Sequence, residues 1–119
     1  MSYPGNLNLV NTLVNYTLFQ TKSAIPILFV EECLHGGAGN LKTVFPTPLT
    51  SAASFNTDLL EQIGVAIAAE TRAYSIVQCF APVIGVAREP RWGRVEETYG
   101  NSLFRFLLFI APLEPSSDR

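Results

Sequence analysis

Histidine, methionine and tryptophan each occur once in this 119-residue chain, and cysteine occurs twice. A single histidine excludes a metal centre built on histidines, and no metal site is expected. Cys33 and Cys79 do not make a zinc pattern or a disulfide scaffold. Each is expected to fill a small buried volume, so neither reveals the compartment. Charge is scarce: 15% of residues, with a formal net charge of −2. Such a balance excludes a nucleic-acid partner held by bulk attraction. No apolar run reaches the ~20 residues that span a bilayer; the longest near the C-terminus, 103–113, contains Arg105 and Pro112. Residues 1–8 lack a basic segment followed by an apolar one, so no signal peptide is expected and localisation stays unknown. Asn15-Tyr16-Thr17 fits a glycosylation sequon but falls in a predicted helix.

What is present is apolar. Hydrophobic residues make up 48% of the chain, which argues for a folded state, and the length allows at most one domain. Leu9, Val10, Leu13, Val14, Thr17 and Leu18 recur at three- and four-residue spacing and predict a helix over 6–21. Residues 25–30 form a continuous apolar run with Pro26 at its start, which predicts a strand buried on both faces, as in parallel sheets. Residues 35–54 read as a long loop, with Gly36, Gly37, Gly39, Pro46 and Pro48; Val44-Phe45 would add a short strand or anchor the loop in the core. Asn56 is a plausible N-cap for a second helix running to about Ala73 along Leu59, Leu60, Ile63, Ile67 and Ala68. Gly64 inside it costs about 1 kcal/mol relative to alanine, which a close helix–sheet contact would explain. Residues 76–80, continuing to Pro82, are the second strand. The alternation predicts an α/β fold with a βαβ unit, parallel strands and a right-handed crossover.

In such units ligands bind beyond the C-terminal ends of the strands. The first strand delivers Glu31, Glu32 and His35 to that edge. The second delivers the segment 88–100, which holds three of the chain's eight basic residues, Arg88, Arg91 and Arg94, together with Trp92. Adjacent strand residues face opposite ways, so only one of Glu31 and Glu32 can enter a shared cleft. That carboxylate could accept hydrogen bonds from two sugar hydroxyls, or it could simply pair with Arg88, Arg91 or Arg94. Adjacent carboxylates cannot supply the two catalytic groups of a glycosidase, which stand about 5–10 Å apart. His35 suits a capping or supporting role. The glycines after it permit positive φ or close backbone approach, or make a plain turn. The arginines offer planar donor forks for carboxylates and vicinal hydroxyls. Trp92 is either a stacking platform for a sugar or a core plug, the plug being favoured, and Arg91 beside it is expected to brace the loop.

Several stretches occur together in a recognisable order: Ile25-Pro26-Ile27-Leu28-Phe29, Glu31-Glu32-Cys33-Leu34-His35-Gly36, Thr43-Val44-Phe45-Pro46, Phe80-Ala81-Pro82-Val83, and Arg88-Glu89-Pro90-Arg91-Trp92-Gly93-Arg94-Val95-Glu96-Glu97-Thr98-Tyr99-Gly100. Over about residues 9–100 the chain resembles the N-terminal domain of glycoside hydrolase family 3, which contains β-glucosidases, β-xylosidases and exo-β-glucanases. The resemblance implies a (β/α)8 barrel of the TIM type, of which this chain would hold an early portion, and a retaining mechanism through a covalent glycosyl intermediate. It implies that Glu32 grips hydroxyls of the sugar in the −1 subsite and that Arg94 reaches the same sugar. His35 and Arg91 match motif positions with supporting roles. The ligand implied is a β-linked glucoside or xyloside, with no cofactor.

There are departures. Glu89 stands where the family usually has aspartate. Asn101-Ser102 replaces an acidic pair, and 101–119 diverges, as a closing helix or as sequence foreign to the fold. The Lys-His motif, the aspartate nucleophile and the acid/base glutamate of the family are absent. A full barrel takes about 250 residues. The chain is therefore expected to be a fragment of one family 3 N-terminal domain that supplies part of a sugar pocket without the catalytic carboxylates. The alternatives are a non-catalytic carbohydrate-binding protein and a non-functional fragment.

Overall fold

The computed structural model describes residues 7–37 and 42–101. The divergent tail and its expected closing helix fall largely outside the described residues. The order is α1 (Leu7–Gln20), β1 (Val30–Glu31), α2 (Pro48–Ala52), α3 (Thr57–Ala73), β2 (Gln78–Cys79) and a 3-10 turn (Val95–Glu97). None of the described helices is long and apolar enough to cross a membrane.

Both long helices form where the sequence periodicity places them. The Asn56 side chain caps α3 by accepting from the Leu59 N–H at 3.0 Å, and Asp58 sits in the first turn where the helix dipole favours it. α1 has no acidic residue in its first turn and no basic one in its last, and it buries only Val10. Tertiary contact therefore has to hold it. That contact is one small core of Val10, Phe29 and Ile76, with Val14, Tyr74 and Cys79 packed around it.

β1 and β2 run parallel, with Val30 opposite Gln78 and Glu31 opposite Cys79. The Val77 N–H donates to the Phe29 carbonyl at 3.1 Å and the Phe80 N–H to that of Glu31 at 2.8 Å. The strands are shorter than the apolar runs that predict them, and they are not buried on both faces. Ile25 is 68% exposed, Leu28 58% and Phe80 54%. A two-strand sheet covers little, so apolar side chains suited to a doubly packed strand stay largely exposed here.

Further expectations are corrected. A Cβ on Gly64 would meet nothing within 4 Å, so no close helix–sheet contact accounts for that glycine. Cys33 and Cys79 are joined in a disulfide with a Cα–Cα distance of 5.5 Å. Strand pairing places them within bonding reach, a juxtaposition that spacing along the chain could not reveal. The loop expected over 35–54 contains α2, with Pro48 at its first turn and the Thr47 hydroxyl as N-cap. Val44-Phe45 forms no strand; the Phe45 N–H instead donates to the His35 carbonyl at 2.7 Å.

The disulfide links residues 46 apart, for which chain entropy predicts roughly 4 kcal/mol of stabilisation. A Cys33→Ala/Cys79→Ala variant should therefore unfold at lower denaturant than the parent, and reductant should destabilise the parent while leaving the variant unchanged. Equal midpoints for the two proteins in the absence of reductant would show that the cross-link contributes nothing.

Candidate functional site

The site is built at the C-terminal ends of β1 and β2. The Glu31 carboxylate turns inward, where Lys42 Nζ donates to both oxygens at 2.8 and 3.1 Å. The side chains are 1% exposed for Lys42 and 13% for Glu31, and the ammonium lies 4.8 Å from the centre of the Tyr74 ring. Taking two such charges out of water is costly, and removing one partner of a buried pair typically destabilises by about 3–5 kcal/mol. The pair and the aromatic face together offset the lost hydration. Glu32, the first residue past β1, is exposed.

Residues 35–37 and 42–47 are pinned beside this strand end. Gly36 has φ +127°, and a Cβ there would collide with the Thr43 carbonyl oxygen. A Cβ on Gly37 would lie 2.7 Å from Lys42 Cδ. These two glycines are required for close approach, one of the readings open to them from sequence. The Thr43 N–H donates to Glu70 Oε1 at 2.9 Å, which ties the segment to α3.

The second wall is a compact loop. The Ala87 N–H donates to the Gly100 carbonyl at 3.1 Å and closes 88–99 at its base. Inside, Thr98 is fully buried and bridges to Val83. Its hydroxyl donates to the Val95 carbonyl at 2.8 Å and accepts from the Gly100 N–H at 3.3 Å. α2 packs against the 3-10 turn.

Two arginine forks organise the loop. Arg91 Nε and Nη2 donate to Glu89 at 2.8 Å each, and the Arg91 N–H adds a bond of 2.9 Å. Arg94 Nε donates to the Glu97 oxygens at 2.8 and 2.9 Å, and Nη2 donates at 2.6 Å. These planar pairings hold the Glu89 carboxyl down to about 2 from its ordinary 4.5, and they lower Glu97. Arg94 is pushed up first by its bonds and charge attraction to Glu97, and further by the Glu32 carboxylate. Burial pushes the Tyr99 phenol up.

Glu32 and Arg94, 62 positions apart, are thus within electrostatic reach of each other. His35 is half-buried, and its carbonyl anchors Phe45. Trp92 is 41% exposed and does not plug a core; the loop holding it is closed by its own ion pairs and leaves the indole at the surface. Glu31 pairs with Lys42, not with Arg88, Arg91 or Arg94, because Glu89 and Glu97 occupy Arg91 and Arg94 and the strand turns Glu31 the other way. Lys42 is the residue that motif reading misses. One signal for it exists: it is the only formally charged residue between Glu32 and Asp58. Among the described residues no cluster of three or more potential ligands could hold a metal ion.

Residues 5–104 match the model of the glycosyl hydrolase family 3 N terminal domain. The chain belongs to glycosyl hydrolase family 3. It is 36% identical over 94 residues to a putative beta-xylosidase of Formosa agariphila, a match covering 79% of this chain and 12% of that protein. It is 36% identical over 80 residues to a periplasmic beta-glucosidase of Salmonella typhimurium, covering 67% and 10%. Among solved structures, a β-glucosidase from Erythrobacter marinus superposes with a TM-score of 0.83 at 31% identity, over 92% of this chain and 14% of that one. This family 3 chain therefore spans about a tenth to a seventh of the length of the relatives it matches.

A carboxyl with a lowered pKa helps order the loop above its ordinary value and loses that contribution as pH falls through the lowered one. Side-chain carboxyl NMR on acid titration should accordingly place the Glu89 midpoint near 2. Added salt should move the Glu89 and Glu97 midpoints upward, since both pairs meet solvent. A Glu89 midpoint at the ordinary 4.5 would mean that the fork is open in solution.

Proposed function

We propose that this chain is an early portion of a (β/α)8 barrel and supplies part of the sugar subsite of a β-glycosidase acting on β-linked glucosides or xylosides. The observation that carries the reading is the convergence of Glu32, after β1, with Arg94, after β2, at the ligand end of two parallel strands. Family membership and the names of the relatives supply the substrate class.

In this reading Glu32 accepts hydrogen bonds from two hydroxyls of one sugar ring. Arg94 donates to the same ring from the side of its guanidinium that Glu97 leaves open. Glu97 fixes the plane of that guanidinium, so little side-chain freedom remains to be lost on binding. Arg91 and His35 support the two walls, and exposed Trp92 lies beside the arginine forks. The nucleophile and the acid/base come from polypeptide other than these 119 residues. The chain's own part is to bind and orient.

Calorimetric titration of the purified chain with glucose and with xylose should show heat at millimolar sugar. Glu32→Ala or Arg94→Ala should weaken the response by about tenfold or more, as expected for loss of a hydrogen bond to a charged group. No aryl β-glucoside should be hydrolysed. Absence of heat with both sugars would overturn the subsite, and turnover abolished by Glu32→Ala would overturn the assignment of catalysis to other polypeptide.

A further inference from the structure

We propose that Lys42, acting through Glu31, is a positioning residue that aims Glu32 at the sugar. The inference rests on the subsite reading and adds a residue to it. Glu32 is flanked by two anchored neighbours. Behind it, Glu31 is locked to a lysine whose side chain is 1% exposed. Ahead of it, Cys33 is bonded to Cys79. With Glu31 held inward, Glu32, the first residue past β1, is left exposed and within electrostatic reach of Arg94.

Lys42 is itself held from several sides. Gly37 admits its stem, Tyr74 covers its ammonium, and the next residue is bonded to Glu70 on α3. The lysine thereby ties the end of β1 to α3 and to the segment after His35. The geometry has a specific requirement. A neutral side chain at 42 would leave the Glu31 carboxylate buried without a partner, and the strand end would turn to hydrate it. That turn would rotate Glu32 away from Arg94. Lys42 touches no sugar in this scheme; its effect passes through the backbone of 31–32.

The test is a spectroscopic one that does not require sugar. In the parent, Glu32→Gln should shift the Arg94 Nε–H resonance, because the two groups interact. In a Lys42→Met background the same Glu32→Gln change should leave that resonance unmoved, and Lys42→Arg should restore the response. Sugar affinity should fall about tenfold in Lys42→Met, the size expected for a misdirected charged hydrogen bond, and recover in Lys42→Arg. If Lys42→Met does not fold, Glu31→Gln, which keeps the shape and removes the charge, serves as the background and is expected to weaken the same response. An undiminished Arg94 response in a folded Lys42→Met or Glu31→Gln background overturns the proposal, as does a parent whose Arg94 resonance ignores Glu32. A parent that shows the coupling and its loss but binds neither sugar supports the positioning role while overturning the subsite.

Discussion

The pairing of β1 with β2 is the constraint on which the rest depends. Each strand contributes only two residues, yet their parallel alignment brings 31–35 beside 88–100. Two backbone bonds to Phe29 and Glu31 hold the ladder, and Phe29 and Ile76 meet beneath it with Val10 from α1. So short a ladder would be marginal alone. The Cys33–Cys79 bond follows immediately at the C-terminal end of the ladder and restricts the unfolded chain. Without this pairing, Glu32 and Arg94 would be separated by the whole of the α2–α3 connection.

From that pairing follows a division of charge. Glu31 faces in and is neutralised by Lys42. Glu32 faces out. The arginine loop across from it is not an unsatisfied basic patch, because Glu89 and Glu97 each take one guanidinium in a two-pronged pairing. Exposed pairs of this kind add little to stability. Their effect is on geometry: the forks fix the planes of Arg91 and Arg94 and leave the loop close to neutral, which in the proposed reading favours an uncharged sugar over an anion. The buried Thr98 and the bond between Ala87 and Gly100 keep the loop compact while its tip, with Trp92, stays in water.

The apolar residues beside the strands show the opposite condition. Ile25, Leu28 and Phe80 are exposed although the two runs they belong to have the composition of interior strands. Such residues suit a strand covered on both faces, and among the described residues that cover is incomplete. This is why strand existence and direction could be read from the chain while burial could not. Burial depends on what lies opposite, and composition records only what the residue would prefer.

The residues by themselves determined the features that act over a few positions. Asn56 caps α3, the three- and four-residue spacing sets α1 and α3, and the apolar runs mark where β1 and β2 lie. The motif order around Glu32 and Arg94 identified the family, because each motif is a contiguous string. Tertiary structure alone decided the partners. Cys33 found Cys79, Glu31 found Lys42, Thr43 found Glu70, and Gly36 admitted the Thr43 carbonyl. Gly64, which sequence reasoning assigned to a close contact, met open space. The physical reason is range: capping and periodicity act within a turn or two of chain, whereas a disulfide or a buried ion pair depends on how strands align across tens of residues.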